Sequence, residues 1–175
     1  MPRRKSEEAE PDMEDFEESG LADTEIAATE FNLEEEYKPT PLIPNAVGYH
    51  AYITDAKYER KGPNILLEWT LKDNGGYCSD GETAIDGRKQ WQRLWLPKPG
   101  DEKELTKSGD MTKRQSKINM LTKALQSLKI KAVTLADLLE KIANSELIGL
   151  EGKIDIGLDT WQGQTSNKVT KSVAV

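Results

Sequence analysis

The chain has 175 residues, 36% apolar and 31% charged, with a formal charge of −7; the length suits one ordinary domain, and the lean apolar fraction leaves part of the chain outside any core. One cysteine, Cys78, and one histidine, His50, exclude an intrachain disulfide and the ligand set of a structural zinc site, so no cofactor is expected, although carboxylates could still hold a metal. No apolar run reaches the ~18 residues of a membrane span, and Met1 to Lys5 leads into acid rather than an apolar signal segment; a soluble, cytoplasmic protein with no membrane partner is expected.

The charge is unevenly distributed. Residues 1 to 38 carry 14 acids against 4 bases, net −10, leaving 17 acids and 20 bases, net +3, on residues 39 to 175. The acidic pI belongs to the tail and does not argue against polyanion binding by the body. Residues 1 to 44 read as a disordered acidic arm that ends in the proline-rich linker Lys38-Pro-Thr-Pro-Leu-Ile-Pro44, whose prolines forbid a helix. Phe16, Phe31 and Leu33, embedded in acid, look like short docking segments. Two readings of the arm stand: a segment that docks into a basic groove of its own body or onto basic partners, and a solubilising tail.

From Val47 the pattern alternates, with Tyr49, Ala51 and Ile53 on one face and His50, Tyr52 and Thr54 on the other, which predicts a first strand. No nucleophile pattern accompanies His50, so it reads as a strand residue rather than a catalytic base. Lys61-Gly-Pro-Asn64 is a turn, and Ile65, Leu67, Trp69 and Leu71 then define the apolar face of a second strand, with Trp69 in the core. Asp73-Asn-Gly-Gly76 breaks the chain, and the polar stretch to Lys89 reads as a loop or a long hairpin arm. In Gln90-Trp-Gln-Arg-Leu-Trp-Leu96, alternation puts Trp91, Arg93 and Trp95 on one face and Gln92, Leu94 and Leu96 on the other. If the leucines face the core, two indoles and a guanidinium share a solvent surface suited to stacked bases and phosphates. The opposite reading buries the tryptophans.

Thr112 with Gln115 fits a capping box, and Met111, Ile118, Leu121, Leu125 and Leu128 follow at helical spacing. Between Met111 and Ala136 lie Lys113, Arg114, Lys117, Lys123, Lys129 and Lys131 and no acid, a phosphate-facing surface or simply a solvated one. Thr134 and Asp137 mark a second helix with Leu135, Leu138, Leu139 and Ile142 on its apolar stripe; both helices are expected to face the core. Ile154, Ile156 and Leu158 alternate in a strand from Lys153 to Asp159, Trp161-Gln-Gly-Gln is turn-like, and Val169 to Val175 supplies a closing strand. No Walker loop, dinucleotide fingerprint, nucleophile elbow or paired-His motif occurs.

Three strands, helices and two strands is the order of an α+β, mainly β, five-stranded Greek-key barrel of OB-fold type with a helical insertion between strands three and four, over residues 45 to 175. In Gly48-Tyr-His-Ala-Tyr-Ile-Thr-Asp-Ala, Asn64-Ile-Leu-Leu-Glu-Trp-Thr-Leu, Leu147-Ile-Gly-Leu-Glu-Gly-Lys-Ile and Asn167-Lys-Val, the chain resembles the phage single-stranded-DNA-binding proteins of OB-fold type found beside replication and recombination genes. It departs from many single-stranded-DNA-binding proteins in carrying its acid at the N-terminus. The resemblance implies sequence-tolerant binding of single-stranded DNA in the host cytoplasm, with replication or recombination proteins docking on the acidic arm. Tyr52, Trp91 and Trp95 would stack bases, while Arg93, Lys98, Lys113, Arg114 and Lys117 would meet phosphates. Two alternatives use other residues: a metal-dependent nuclease built on Glu151, Lys153, Asp155 and Asp159, and an acidic DNA mimic that inhibits a host factor through the tail.

Overall fold

The computed structural model describes residues 37–175, and its body runs from Pro41 to Val175; most of the acidic arm, with Phe16, Phe31 and Leu33, lies outside the described residues. Five strands, β1 (Ala46–Glu59), β2 (Asn64–Leu71), β3 (Lys89–Trp95), β4 (Glu151–Trp161) and β5 (Gln164–Ala174), are joined by two helices between β3 and β4, α1 (Lys113–Ser127) and α2 (Leu135–Ala143). The strands form one antiparallel sheet in the order β3-β2-β1-β4-β5. The mainly β architecture and the helical insertion are therefore as expected. The closed barrel is not seen: β3 and β5 approach each other, but no ladder joins them among the described residues.

The sheet curls because β1 serves two partners. Its N-terminal half pairs with β4 and its C-terminal half with β2, and the register slips near Gly48 and at Thr54. An extra residue bends a strand and increases its twist. Gly48 takes φ +77°, a conformation that side chains resist, and donates its N–H to Asp155 Oδ1 at 2.8 Å. At the second slip Thr54 is the unpaired residue, and its hydroxyl turns to Glu68 and Thr70 on β2.

Trp69 is the largest fully buried side chain, at 0% exposure. It is opposite Ile53, in the register that sets Ala51 between Leu71 and Gly152, and its ring reaches across to β4: a Cβ on Gly152 would stand 3.3 Å from the indole and 2.7 Å from the Val173 carbonyl oxygen. The missing side chain at Gly152 on β4 thus leaves the space that the indole fills. The indole N–H, which would be costly if left unpaired, donates to Gln92 Oε1 at 3.1 Å. Burying an indole of ~150–250 Å² is worth about 4–6 kcal/mol on area alone, an upper bound because the unfolded chain is partly compact.

The start of the body is held more tightly than a linker would be. Ile43 is fully buried, and the Asn167 side chain treats it as a strand partner: Oδ1 accepts from the Ile43 N–H and Nδ2 donates to the Ile43 carbonyl, both at 2.8 Å. The 73–88 excursion likewise adds Cys78 and Ile85 to the core, and Asp86 caps the Asn74 and Gly75 N–H groups.

Thr112 caps α1 by accepting from the Gln115 N–H, but the Gln115 side chain turns to Asn119, so only half of the expected capping box forms. Thr134 and Asp137 complete theirs at α2. The helices contribute unequally to the core: α2 sinks Leu138, whereas α1 buries no residue fully and leans on the core through Leu121, Ala124 and Leu125. The last two strands run past the sheet as a hairpin. Gln162 and Gly163, at φ +49° and +77°, make its turn, matching the paired left-handed residues of a type I′ connection. From Leu158 to Ser166 every residue is exposed. β5 therefore begins five residues before the expected Val169, because pairing with β4 continues where burial has stopped.

Candidate nucleic-acid interface

The strand β3 resolves the two readings of its alternation. Leu94 and the following Leu96 are buried, whereas Trp91 is 52% and Trp95 49% exposed. Trp91, Arg93 and Trp95 therefore share the solvent face, about 6.8 Å apart along the strand at each step. The register sets Glu68 opposite Trp91, Leu66 opposite Arg93 and Asn64 opposite Trp95. One strand further, Asp55 is opposite Glu68, Lys57 opposite Leu66 and Glu59 opposite Asn64. Trp95 ends beside the β1–β2 turn, where a Cβ on Gly62 would meet its ring at 3.9 Å.

Tyr52 belongs to the same outer face but not to the same cluster. It lies on β1, with Thr70 between it and Lys89 on β3, about 10 Å from β3 across two strand spacings. The Lys72 ammonium lies over its ring, 5.6 Å from the centroid, and also pairs with Glu151. His50 is exposed on β1 opposite Lys153.

The cations of this face are largely matched. Lys89 bonds Glu68 at 2.7 Å, Lys57 bonds Asp55 at 2.8 Å, Arg93 Nε stands 3.9 Å from Glu59, and Lys72 holds Glu151. The Lys89 ammonium, then the Thr54 hydroxyl, hold the Glu68 carboxyl below the usual carboxylate range, so it is ionised at neutral pH. The surface is aromatic and close to neutral rather than broadly basic, which favours stacking over phosphate capture.

The remaining predicted cations gather at the end of β3. The turn after Pro97 carries Lys98 and buries Asp101, whose Oδ2 accepts from the Lys98 N–H at 2.9 Å and from Lys117 Nζ at 2.7 Å. The Arg114 N–H donates to the Asp101 carbonyl. One aspartate thus holds the backbone of Lys98 and Arg114 and the ammonium of Lys117, and Lys117 lowers its carboxyl pKa. Lys113 pairs with Glu104 instead. Lys113 and Lys117 already hold carboxylates, while Lys98 and Arg114 form no ion pair with a described residue. The nuclease residues are dispersed: Glu151 is engaged with Lys72, Asp155 accepts from Gly48, and no three His, Cys, Asp or Glu side chains converge among the described residues.

Two features escaped the sequence reading. Trp161, assigned to a turn, ends β4 and is 73% exposed at the hairpin tip; the signal available was its polar surroundings, which offer no apolar alternation to bury it. Glu68 beside Trp91 needed the register. No known protein family matches the chain, and no curated protein is similar enough to count as a match.

Proposed function

We propose that the body is an OB-type fold that binds single-stranded DNA with little regard to sequence, as a phage replication or recombination protein would. The observation that carries this reading is the Trp91-Arg93-Trp95 face, left to solvent while Leu94 and Leu96 fill the core. Half-exposed indoles on a strand are costly to keep in water and offer every base a π-face. The strand order supports the OB-type assignment, since β3-β2-β1-β4-β5 with nearby edge strands is the sequence of neighbours in such a barrel cut between β3 and β5. Bases stack on Trp91 and Trp95, with Trp161 on the hairpin and Tyr52 on β1 as outlying contacts. Arg93, Lys98 and Arg114 meet phosphates, with Lys113 and Lys117 supporting them once their carboxylates are exchanged. The activity is binding alone, without metal or cofactor, and the acidic stretch of residues 1 to 38 docks replication or recombination proteins.

Titrating the full chain with unlabelled single-stranded oligonucleotide while following tryptophan emission, with and without magnesium, tests the reading. Quenching without shortening of the strand is the expected result. No quenching at low salt, or magnesium-dependent cleavage that Glu151→Ala abolishes, would overturn it.

A further inference from the structure

We propose that Glu68 gives the Trp91 position a preference for cytosine and adenine, whose amino groups N4 and N6 stand where thymine carries the acceptor O4, over thymine. The inference rests on the single-strand-binding reading. Glu68 is the direct cross-strand neighbour of Trp91, so a base stacked on the indole carries one edge over the next strand, about 4.8 Å away. What waits there is a fixed anion. The Thr54 bulge donates its hydroxyl to Glu68 Oε1 at 2.7 Å, and Lys89 Nζ reaches the same oxygen at 2.7 Å. Both bonds fall on Oε1, and the Trp91 indole N–H also bears on the carboxylate; its two oxygens offer about four lone-pair sites, so acceptor capacity remains for a base. The side chain is only 18% exposed, so little solvation remains to be lost when a base arrives.

A carboxylate accepts from the N4 amino group of cytosine and the N6 amino group of adenine, whereas thymine offers its O4, another acceptor, at the corresponding position. The strand then runs with its bases over β2 and its backbone toward the Arg93 side, with Glu68 adding a modest preference to stacking that is otherwise tolerant.

The test compares oligodeoxycytidine with oligothymidine of equal length, two pyrimidine strands at one salt concentration, on the full chain, on Glu68→Gln and on Thr54→Val. Thr54→Val keeps the charge but releases the carboxylate from its hydroxyl donor. The decisive quantity is the ratio of the two affinities. In the parent chain it should favour cytidine on the order of tenfold, the scale of one hydrogen bond to a charged group. It should fall to near unity in Glu68→Gln and lie between in Thr54→Val, with each variant's melting temperature confirming its fold. A ratio unchanged by both substitutions overturns the proposal, as does an equal gain for both strands in Glu68→Gln, which would make Glu68 a like charge and nothing more. Failure of the parent chain to bind either strand is a different result: it defeats the binding reading itself, and this proposal with it. If Glu68→Gln does not fold, Thr54→Val alone decides.

Discussion

Trp69 and Trp91 occupy neighbouring strands of one sheet, and the first is sealed while the second is half in water. Hydrophobicity does not distinguish them. Trp69 is buried because Gly152 leaves room for its ring and Gln92 satisfies its N–H; Trp91 is exposed because the inner side of β3 is already filled by Leu94 and the following Leu96, and its neighbour across the sheet is a carboxylate. The same residue type serves stability on one face and, under the proposed function, recognition on the other, so substitutions on the two faces should separate cleanly.

The sharpest break is at the core. Trp69→Ala should cost about 3–5 kcal/mol of unfolding free energy, read from denaturant curves, and Gly152→Ala about 1–3 kcal/mol by overpacking, since the new methyl meets a backbone oxygen that cannot step aside. A mild effect at Gly152 would mean that β4 and β5 can part locally. Trp91→Ala and Trp95→Ala should each weaken single-strand binding by about 1–3 kcal/mol while shifting stability by less than about 1 kcal/mol. If either unfolds the protein as Trp69→Ala does, the two faces are not distinct. A smaller effect concerns Arg93. For single strands, the logarithm of affinity falls with the logarithm of salt by ~0.7 per phosphate neutralised, so Arg93→Ala should flatten that slope by about one such step; an unaltered slope would leave Arg93 serving only Glu59.

The least effect is expected in acid. Lys117 holds the Asp101 carboxyl below its unfolded value, so the stability it lends is complete above about pH 4 and is lost as pH falls through the folded pKa. The stability gap between the native chain and Asp101→Asn should accordingly narrow below about pH 4. A gap that stays constant to lower pH would show that Asp101 acts through shape rather than charge.

Much of this could be read from the residues in order. The alternation at Trp91 to Trp95 was legible because leucines mark its inner face, and both helix starts because Thr112 and Thr134 are capping residues followed by an apolar stripe. Other features depend on long-range pairing that periodicity does not record. The outer half of the β4–β5 hairpin buries nothing, so no pattern announced it. Ile43 reads as part of a linker because its partner, Asn167, lies 124 residues away, and the Asp101–Lys117 pair joins a turn to a helix. Glu68 alternated correctly with Trp69, yet its position beside Trp91 appears only once β2 and β3 are aligned and the Thr54 bulge has aimed a hydroxyl at it.

The division of β1 between two partners also sets an order of events in time. Its C-terminal half can zip onto β2 through a short turn, and β3 can follow. Its N-terminal half pairs His50 with Lys153, a closure of about a hundred residues whose entropy must be met before any contact rewards it. On a ribosome adding ~5–20 residues per second, several seconds separate the emergence of Trp95 from that of Ile156. Throughout that interval the nascent chain presents an unpaired strand edge, and the half-built meander is most open then to pairing with the wrong neighbour.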